Sequence, residues 1–434
     1  MRRRIRFLDV RPLRESRPYR DLWIGTSASQ LGGQITTVAV LAQVWELTGS
    51  PVGTGAIGLA VGLPMVLFGL VGGALADSVD RRAVVRATTG GQLLVAAGLC
   101  AQAAADNRNV LLLFALVALG SACSALGAPA RRTFPVRLLP ADQVASGIAL
   151  ANVSFQAAML VGPALAGVII AQWGFSVAYA AQAAAVAIAV LALLRLPVMR
   201  PEGTGAPDSG RGRRRPERGG WRVLFAQPAL WGALATDLAA TLLAMPIALF
   251  PLVNEVRFGG DPQTLGLFLT AVAVGGITAG LFSGTVTRWR RAGPVQLTAA
   301  GVWGLALAGF GLADPLWLTL GCLSVAGAAD TVSVITRGAL VQLETPDAYR
   351  GRVSSVEHVI GVAGPELGNF RGGLLASVTS APFALVTGGL SAALAVAVVA
   401  AVNKPLRAYR TPAQEAMTST TAPDAADSAA KVTS

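Results

Sequence analysis

The chain has 434 residues, of which 53% are hydrophobic and only 13% charged, and its mean hydropathy is +0.58. A soluble core of this length cannot bury so much apolar side chain, so a lipid bilayer is the expected solvent. The formal net charge of +12 would suggest a nucleic-acid partner for a soluble domain, but most of the basic residues fall in loops on one predicted side. That asymmetry is an orientation signal, and no nucleic-acid partner is expected.

Residues 1–20 carry eight arginines and precede an apolar stretch at 22–47 that is too long, and too poor in a small-residue cleavage site, to be a signal peptide. Further apolar stretches follow at 52–76, 83–105, 110–134, 142–171 and 175–196. After a Pro, Gly and Arg-rich segment they resume at 227–253, 263–287, 294–313, 315–343, 350–376 and 382–402. Each is close to the ~20 residues that a membrane-spanning helix needs. The organisation expected is a basic cytoplasmic segment 1–20, a first bundle 21–196, a cytoplasmic linker 197–225, a second bundle 226–403 and a disordered tail 404–434. Lys and Arg cluster in the loops on the side of both chain ends, whereas the other side carries Arg108 and Arg257 among Glu46, Asp106, Glu255, Asp261 and Asp314. Both termini are therefore expected in the cytoplasm. Trp23, Trp45, Trp173, Trp231 and Trp317 fall near span ends and read as interfacial anchors.

The two halves echo each other. The segment 59–82 has a counterpart at 267–291, where Arg288 stands in the place of Asp77, and Gly162-Pro163 has a counterpart in Gly364-Pro365. Such internal repetition is how many transporters are built around a central path. Cys100, Cys123 and Cys322 lie inside apolar stretches without metal-ligand spacing, and His358 is the one histidine, so no disulfide, metal site or other cofactor is expected. Neither a G-x-S-x-G elbow nor a P-loop is present, which disfavours a membrane enzyme and excludes ATP drive by this chain itself.

The run Gly72-Gly73-Ala74-Leu75-Ala76-Asp77-Ser78-Val79-Asp80-Arg81-Arg82 joins the second and third stretches. It resembles the cytoplasmic signature of the major facilitator superfamily. The resemblance implies a cytoplasmic gate built on Gly73, Asp77, Arg81 and Arg82. Gly162, Pro163 and Gly167 resemble the fifth-span signature of proton-driven drug exporters of that superfamily, with Met159 where relatives often place an arginine. The runs D-L-A-A-T-L-L-A-M-P-I-A-L-F-P from Asp237, A-A-D-T-V-S-V-I-T-R ending at Arg337, P-D-A-Y-R-G-R-V-S-S-V from Pro346 and G-P-E-L-G-N-F-R-G-G from Gly364 resemble its enterobactin-exporter branch. What the resemblance implies is an all-α membrane protein with the major facilitator superfamily fold, twelve transmembrane helices in two pseudo-symmetric six-helix bundles. It further implies proton-driven efflux of a siderophore or an amphipathic drug. Importer and uniporter remain alternatives, and a polytopic enzyme or receptor is the alternative of another class.

Ionisable side chains in the middle of a span are costly, so each needs a reason. Asp237, Asp330 and Glu366 each fall deep inside a predicted span of the second half and are candidates for proton coupling, with Arg337 and Arg371 as their basic companions. Arg337, two helical turns beyond Asp330, is the obvious partner for a fixed pair, and Arg371 is expected to snorkel toward the outer surface. Spans one, four, seven and ten surround the path in this fold. Gln30 and Gln34, Ser121 and Ser124, and Asn152 and Gln156 in span five are therefore candidates to line the cavity, or alternatively to hold helices together. The partners expected are the bilayer, a small-molecule substrate and protons, with the chain as a monomer.

Overall fold

The computed structural model of the protein describes residues 9–196, 227–282, 291–346 and 349–410, with all side chains in them except those of residues 70, 74, 76–78, 350–352, 354 and 355. The expected linker, the echo at Arg288, the side chains of Asp77 and Arg352 and the tail beyond residue 410 lie outside that description.

The described chain is helical from end to end. The long helices are α1 (Arg17–Thr48), α2 (Pro51–Ser78), α3 (Arg81–Ala104) and α4 (Val110–Arg132), followed by the stretch Val144–Leu194, which holds α5 and α6. Gly174 divides that stretch with φ 78° and ψ −178°, a conformation that only glycine adopts without strain. Then come α7 (Pro228–Phe258), α8 (Pro262–Leu281), α9 (Ala292–Leu312), α10 (Leu316–Glu344), α11 (Arg350–Val378) and α12 (Ala381–Val402). Among the described residues, nine helices are long and apolar enough to cross a membrane, Val144–Leu194 counting as one of them. Leu94, Leu111, Leu191, Leu394 and Val402 are exposed on outer faces, as a lipid-bathed surface requires and water would not tolerate.

Turn chemistry fits the helix ends. Ser16, Asp80, Asn109 and Asp261 cap the starts of α1, α3, α4 and α8 with their side chains, and Gly49 and Gly259 end α1 and α7 in the left-handed region. The helix α5 runs through Gly162-Pro163 of the fifth-span signature, and the chain breaks at Gly174 instead. Only one N–H is lost at a proline, and neighbouring helices cover the freed carbonyl. The segment after Lys404 is also more ordered than expected through residue 410. A short helix, Lys404–Ala408, packs Leu406 fully into a core shared with α7, α9 and α10.

Within the first half, α1 packs on the α5–α6 stretch, and α4 packs on α2 and α3. In the second half, α9 packs on α10 and α12, and α7 on α11 and α12. Two seams join the halves, α2 against α11 and α5 against α8. These seams exchange under the repeat that relates α2 to α8 and α5 to α11, so the joint is itself two-fold. The resulting architecture is the major facilitator superfamily fold.

Candidate functional site

Both seams are tightest in the half of the molecule away from the chain ends. A side chain added at Gly55 or Gly373 would meet the backbone of the facing helix, and one at Gly58 or Gly62 would meet Glu366. On the other seam Gly266 sits against the carbonyl of Pro163, and Gly167 against that of Pro262. Small residues permit this closeness, and dispersion rather than water expulsion holds such contacts in lipid. Thr54 of α2 adds a hydrogen bond across the seam, its Oγ1 donating to the carbonyl of Ala248 in α7 at 2.7 Å.

That carbonyl is available because α7 is discontinuous. Its first part, Pro228–Ala244, ends ahead of Pro246, and a turn at Ile247–Leu249 leads into Phe250–Phe258. A proline there has no N–H for the ladder, and the carbonyls of the preceding turn need other donors. Arg371 of α11 supplies them. Its Nε donates to the Leu242 carbonyl at 2.9 Å and its Nη2 to that of Leu243. Arg371 therefore does not snorkel outward; the negative end of a half-helix inside the bundle holds it. Beside it, Asn369 accepts from the Ala248 N–H at 3.1 Å, which fixes the turn from the α11 side.

Toward the chain ends the two halves part around a cavity of about 960 Å³. Tyr19 and Trp23 of α1 form part of its wall. The Tyr19 hydroxyl donates to the Gly147 carbonyl of α5 at 2.6 Å and the Trp23 indole to that of Leu150 at 3.2 Å. Trp23 is thus a cavity residue and not an anchor at the lipid surface. Trp173 and Trp317, largely exposed, keep positions suited to that role. Of the amide and hydroxyl candidates, Gln30, Ser124 and Asn152 line the cavity, and Ser124 also accepts from Gln92 of α3 at 2.7 Å. Ser121 donates to the Val61 carbonyl at 2.7 Å and binds α4 to α2. Gln34 packs on Gly162, where α1 crosses α5, and Gln156 is half-buried outside the cavity wall.

A charge network lies in the second half, where α7, α10 and α11 meet. Arg337, 6% exposed, contacts the carboxylate of Asp237, 8% exposed, and its Nε lies 3.7 Å from Glu357 Oε1. Arg337 is therefore the partner of Asp237 and not the fixed partner expected for Asp330. Asp330 lies two turns before Arg337 on α10, half-buried, within the electrostatic reach of both charges. Taking an ion pair out of water costs several kcal/mol per ion, roughly, so it persists only where geometry repays it. Here the repayment is partial, because Asp237 Oδ2 is buried without a hydrogen-bond partner. Glu366 is separate from this network. It stands against α2 at Gly58 and Gly62, where Asn369 hydrogen-bonds its carboxyl.

At the gate signature, Gly72 is the residue in close contact, facing the Ala125 and Leu126 carbonyls of α4, whereas Gly73 has open space beside it. Arg81 begins α3. Arg82 donates to the Leu196 carbonyl, and Arg86 joins it on Leu193 and Leu194, so together they cap α6. Asp77 occupies the last turn of α2. Sequence reasoning passed over Glu357, Asn369 and the cavity roles of Tyr19 and Arg131. Only rarity of acids in spans pointed to Glu357, and no spacing rule told which face of α11 it occupies.

Comparison with known proteins places this geometry. The chain matches the family described as transmembrane secretion effector over residues 9–431. It is 26% identical over 394 residues to the enterobactin exporter EntS of Citrobacter koseri, covering 89% of this chain and 92% of that protein. It is 26% identical over 386 residues to the EntS of Shigella flexneri, covering 88% and 90%. Solved structures share the fold at lower identity. The nucleoside transporter NupG aligns with a TM-score of 0.66 at 17% identity over 91% of this chain and 100% of that one. A bacterial homologue of the lysosomal transporter Spinster, in an inward-facing and unoccupied conformation, gives 0.63 at 16% over 90% and 97%. A D-xylose-proton symporter gives 0.67 at 14% over 91% and 98%. The helical seams, the cavity between the halves and the family match over nearly the whole length agree: the chain is a multi-pass membrane transporter of a small molecule and belongs to the transmembrane secretion effector family of the major facilitator superfamily.

Proposed function

We propose that the protein exports a small amphipathic molecule from the cytoplasm by alternating access, in exchange for protons. The observation that carries the proton part is the buried Asp237–Arg337–Glu357 network, with Asp330 nearby, at the junction of α7, α10 and α11. One arginine there serves more than one carboxylate. Protonating Asp237 releases Arg337 toward Glu357, and a shift of one guanidinium between helices is the discrete change that rocking of a bundle needs. Export is favoured by the relatives, which are enterobactin exporters. The basic loops on the side of the chain ends support cytoplasmic termini, and then the 960 Å³ cavity opens to the cytoplasm, where an exporter loads. Asp77, at the cytoplasmic end of α2, acts as the gate that closes when the protein faces outward.

Everted vesicles containing the protein test the reading with dyes, macrolides and catechol siderophores, with and without an inside-acid pH gradient. Gradient-driven accumulation is expected. Asp237→Asn and Asp330→Asn are the coupling variants, and the one that loses gradient drive but keeps counterflow marks the proton carrier. Equilibration that ignores the gradient in the unaltered protein would make it a uniporter. Asp77→Asn is expected to insert normally and to lose transport, and full transport by it would remove the gate.

A further inference from the structure

Among its described lining residues the cavity has charge of one sign only. Arg131 and Arg132 of α4 line it, with the imidazole of His358 of α11 nearby in the wall, and no described lining residue is acidic. The two arginines occupy the last turn of α4, where the helix C-terminus attracts cations. That accounts for their position but not for the want of a counter-charge among the described lining residues. Among the described side chains Arg131 has one hydrogen bond, to Thr89 Oγ1 at 3.5 Å, and its Nε is buried with no partner among them. A guanidinium held away from water without a carboxylate keeps an unscreened positive field in the space beside it.

The rest of the wall is mostly apolar, with Thr26, Gln30, Ser124, Asn152 and Ser154 as its neutral polar members. The rings of Tyr19 and Trp23 are tied by hydrogen bonds to α5, which fixes them in the cavity wall. At the opposite end of the molecule a second cleft, of about 1050 Å³, has the reverse character. Glu46, Glu255 and Asp261 line it, and no described basic residue does. Positive charge thus lines the chamber near the chain ends and negative charge the cleft at the other end.

We propose that the cargo is an amphipathic organic anion, a molecule with an aromatic or aliphatic body and a carboxylate, sulfonate or comparable oxyanion. The inference rests on the export reading and deepens it. The anion enters the chamber near the chain ends, sets its body against Tyr19 and Trp23, and neutralises Arg131. When the opposite end opens, the acidic cleft gives it no counter-ion and repels it outward. A cationic amphipath meets the opposite landscape, rejection at loading and retention at release.

Three probes that share a fluorophore test this: dansylglycine as anion, dansylamide as neutral and dansylcadaverine as cation. Binding to the purified full-length protein is read by fluorescence anisotropy, and movement by gradient-driven uptake into everted vesicles. Dansylglycine is expected to bind about tenfold or more tightly than dansylcadaverine. Arg131→Gln is expected to weaken the anion by about 10- to 100-fold relative to the cation, the loss expected for one charge-assisted contact. Arg131→Lys, which keeps the charge, restores part of that selectivity, and the ratio between probes is insensitive to how much of a variant folds. Equal or tighter binding of dansylcadaverine by the unaltered protein overturns the proposal, as does an unchanged ratio in Arg131→Gln. Gradient-driven uptake of dansylcadaverine alone would sink the anion proposal and leave the exporter standing, whereas no gradient-driven movement of any of the three would count against both.

Discussion

Arg337 and Arg371 are one residue type in one bundle with two different tasks, and each has its own expected mutational signature. Arg337 balances carboxylates. Asp237→Leu alone leaves its guanidinium without its closest partner and should destabilise the protein by about 3–5 kcal/mol. Joining Arg337→Met to it removes both charges and should recover most of that loss, as read by unfolding in graded denaturing detergent; a double variant no more stable than the single would mean the pair is not energetically coupled. The same double variant should transport without gradient drive or not at all. Arg371 instead satisfies two carbonyls at the end of the first part of α7. Arg371→Met should cost about 3 kcal/mol, and Arg371→Lys should recover less than half, because one ammonium cannot meet two carbonyls in the geometry of the guanidinium fork. A lysine variant as stable as the unaltered protein would show that charge alone suffices there.

At the scale of the elements, the glycines of the seams set how closely the halves can shut. Gly266 lies where an added Cβ would run into the Pro163 carbonyl, which is backbone and cannot turn aside. Overpacking of that kind costs about 1–3 kcal/mol, enough to shift a closed seam toward opening by roughly tenfold or more. Thr54, 1% exposed on the other seam, reports on it. In a Thr54→Cys background, Gly266→Val should raise the rate of modification by a thiol reagent about tenfold. An unchanged rate would mean that the two seams open independently. The discontinuity of α7 belongs to this scale too, since Asn369 and Thr54 hold the N–H and C=O of Ala248 from different bundles. A turn gripped from both sides follows whichever bundle moves.

For the whole molecule, access should alternate. In the conformation described, Asn152 is exposed beside the chamber near the chain ends while Thr54 is shut in at the other end. Asn152→Cys should react quickly with a reagent supplied from the cytoplasmic side, and Thr54→Cys slowly with one supplied from outside. Adding cargo together with a pH gradient should move the two rates in opposite directions. Rates that rise together would describe a channel and not a carrier.

The fold was largely legible in the chain itself. Apolar stretches of membrane length, basic loops on one side and the echo of Gly162-Pro163 in Gly364-Pro365 determined a repeated helical membrane protein, because lipid leaves a helix little choice but to satisfy its own backbone. The rarity of ionisable groups in those stretches also singled out Asp237, Asp330, Glu366, Arg337 and Arg371 as residues needing partners. Which partners they take was decided only by tertiary structure. Helical spacing relates residues along one helix, and it offered Arg337 to Asp330; the contact with Asp237 comes from another helix, α7, packed alongside. Likewise nothing local could send Arg371 inward, since the carbonyls that hold it exist only because α7 breaks at Pro246. The positive chamber and the negative cleft are of the same kind, each assembled from helices far apart in the chain whose charges acquire meaning only when packing brings them around one space.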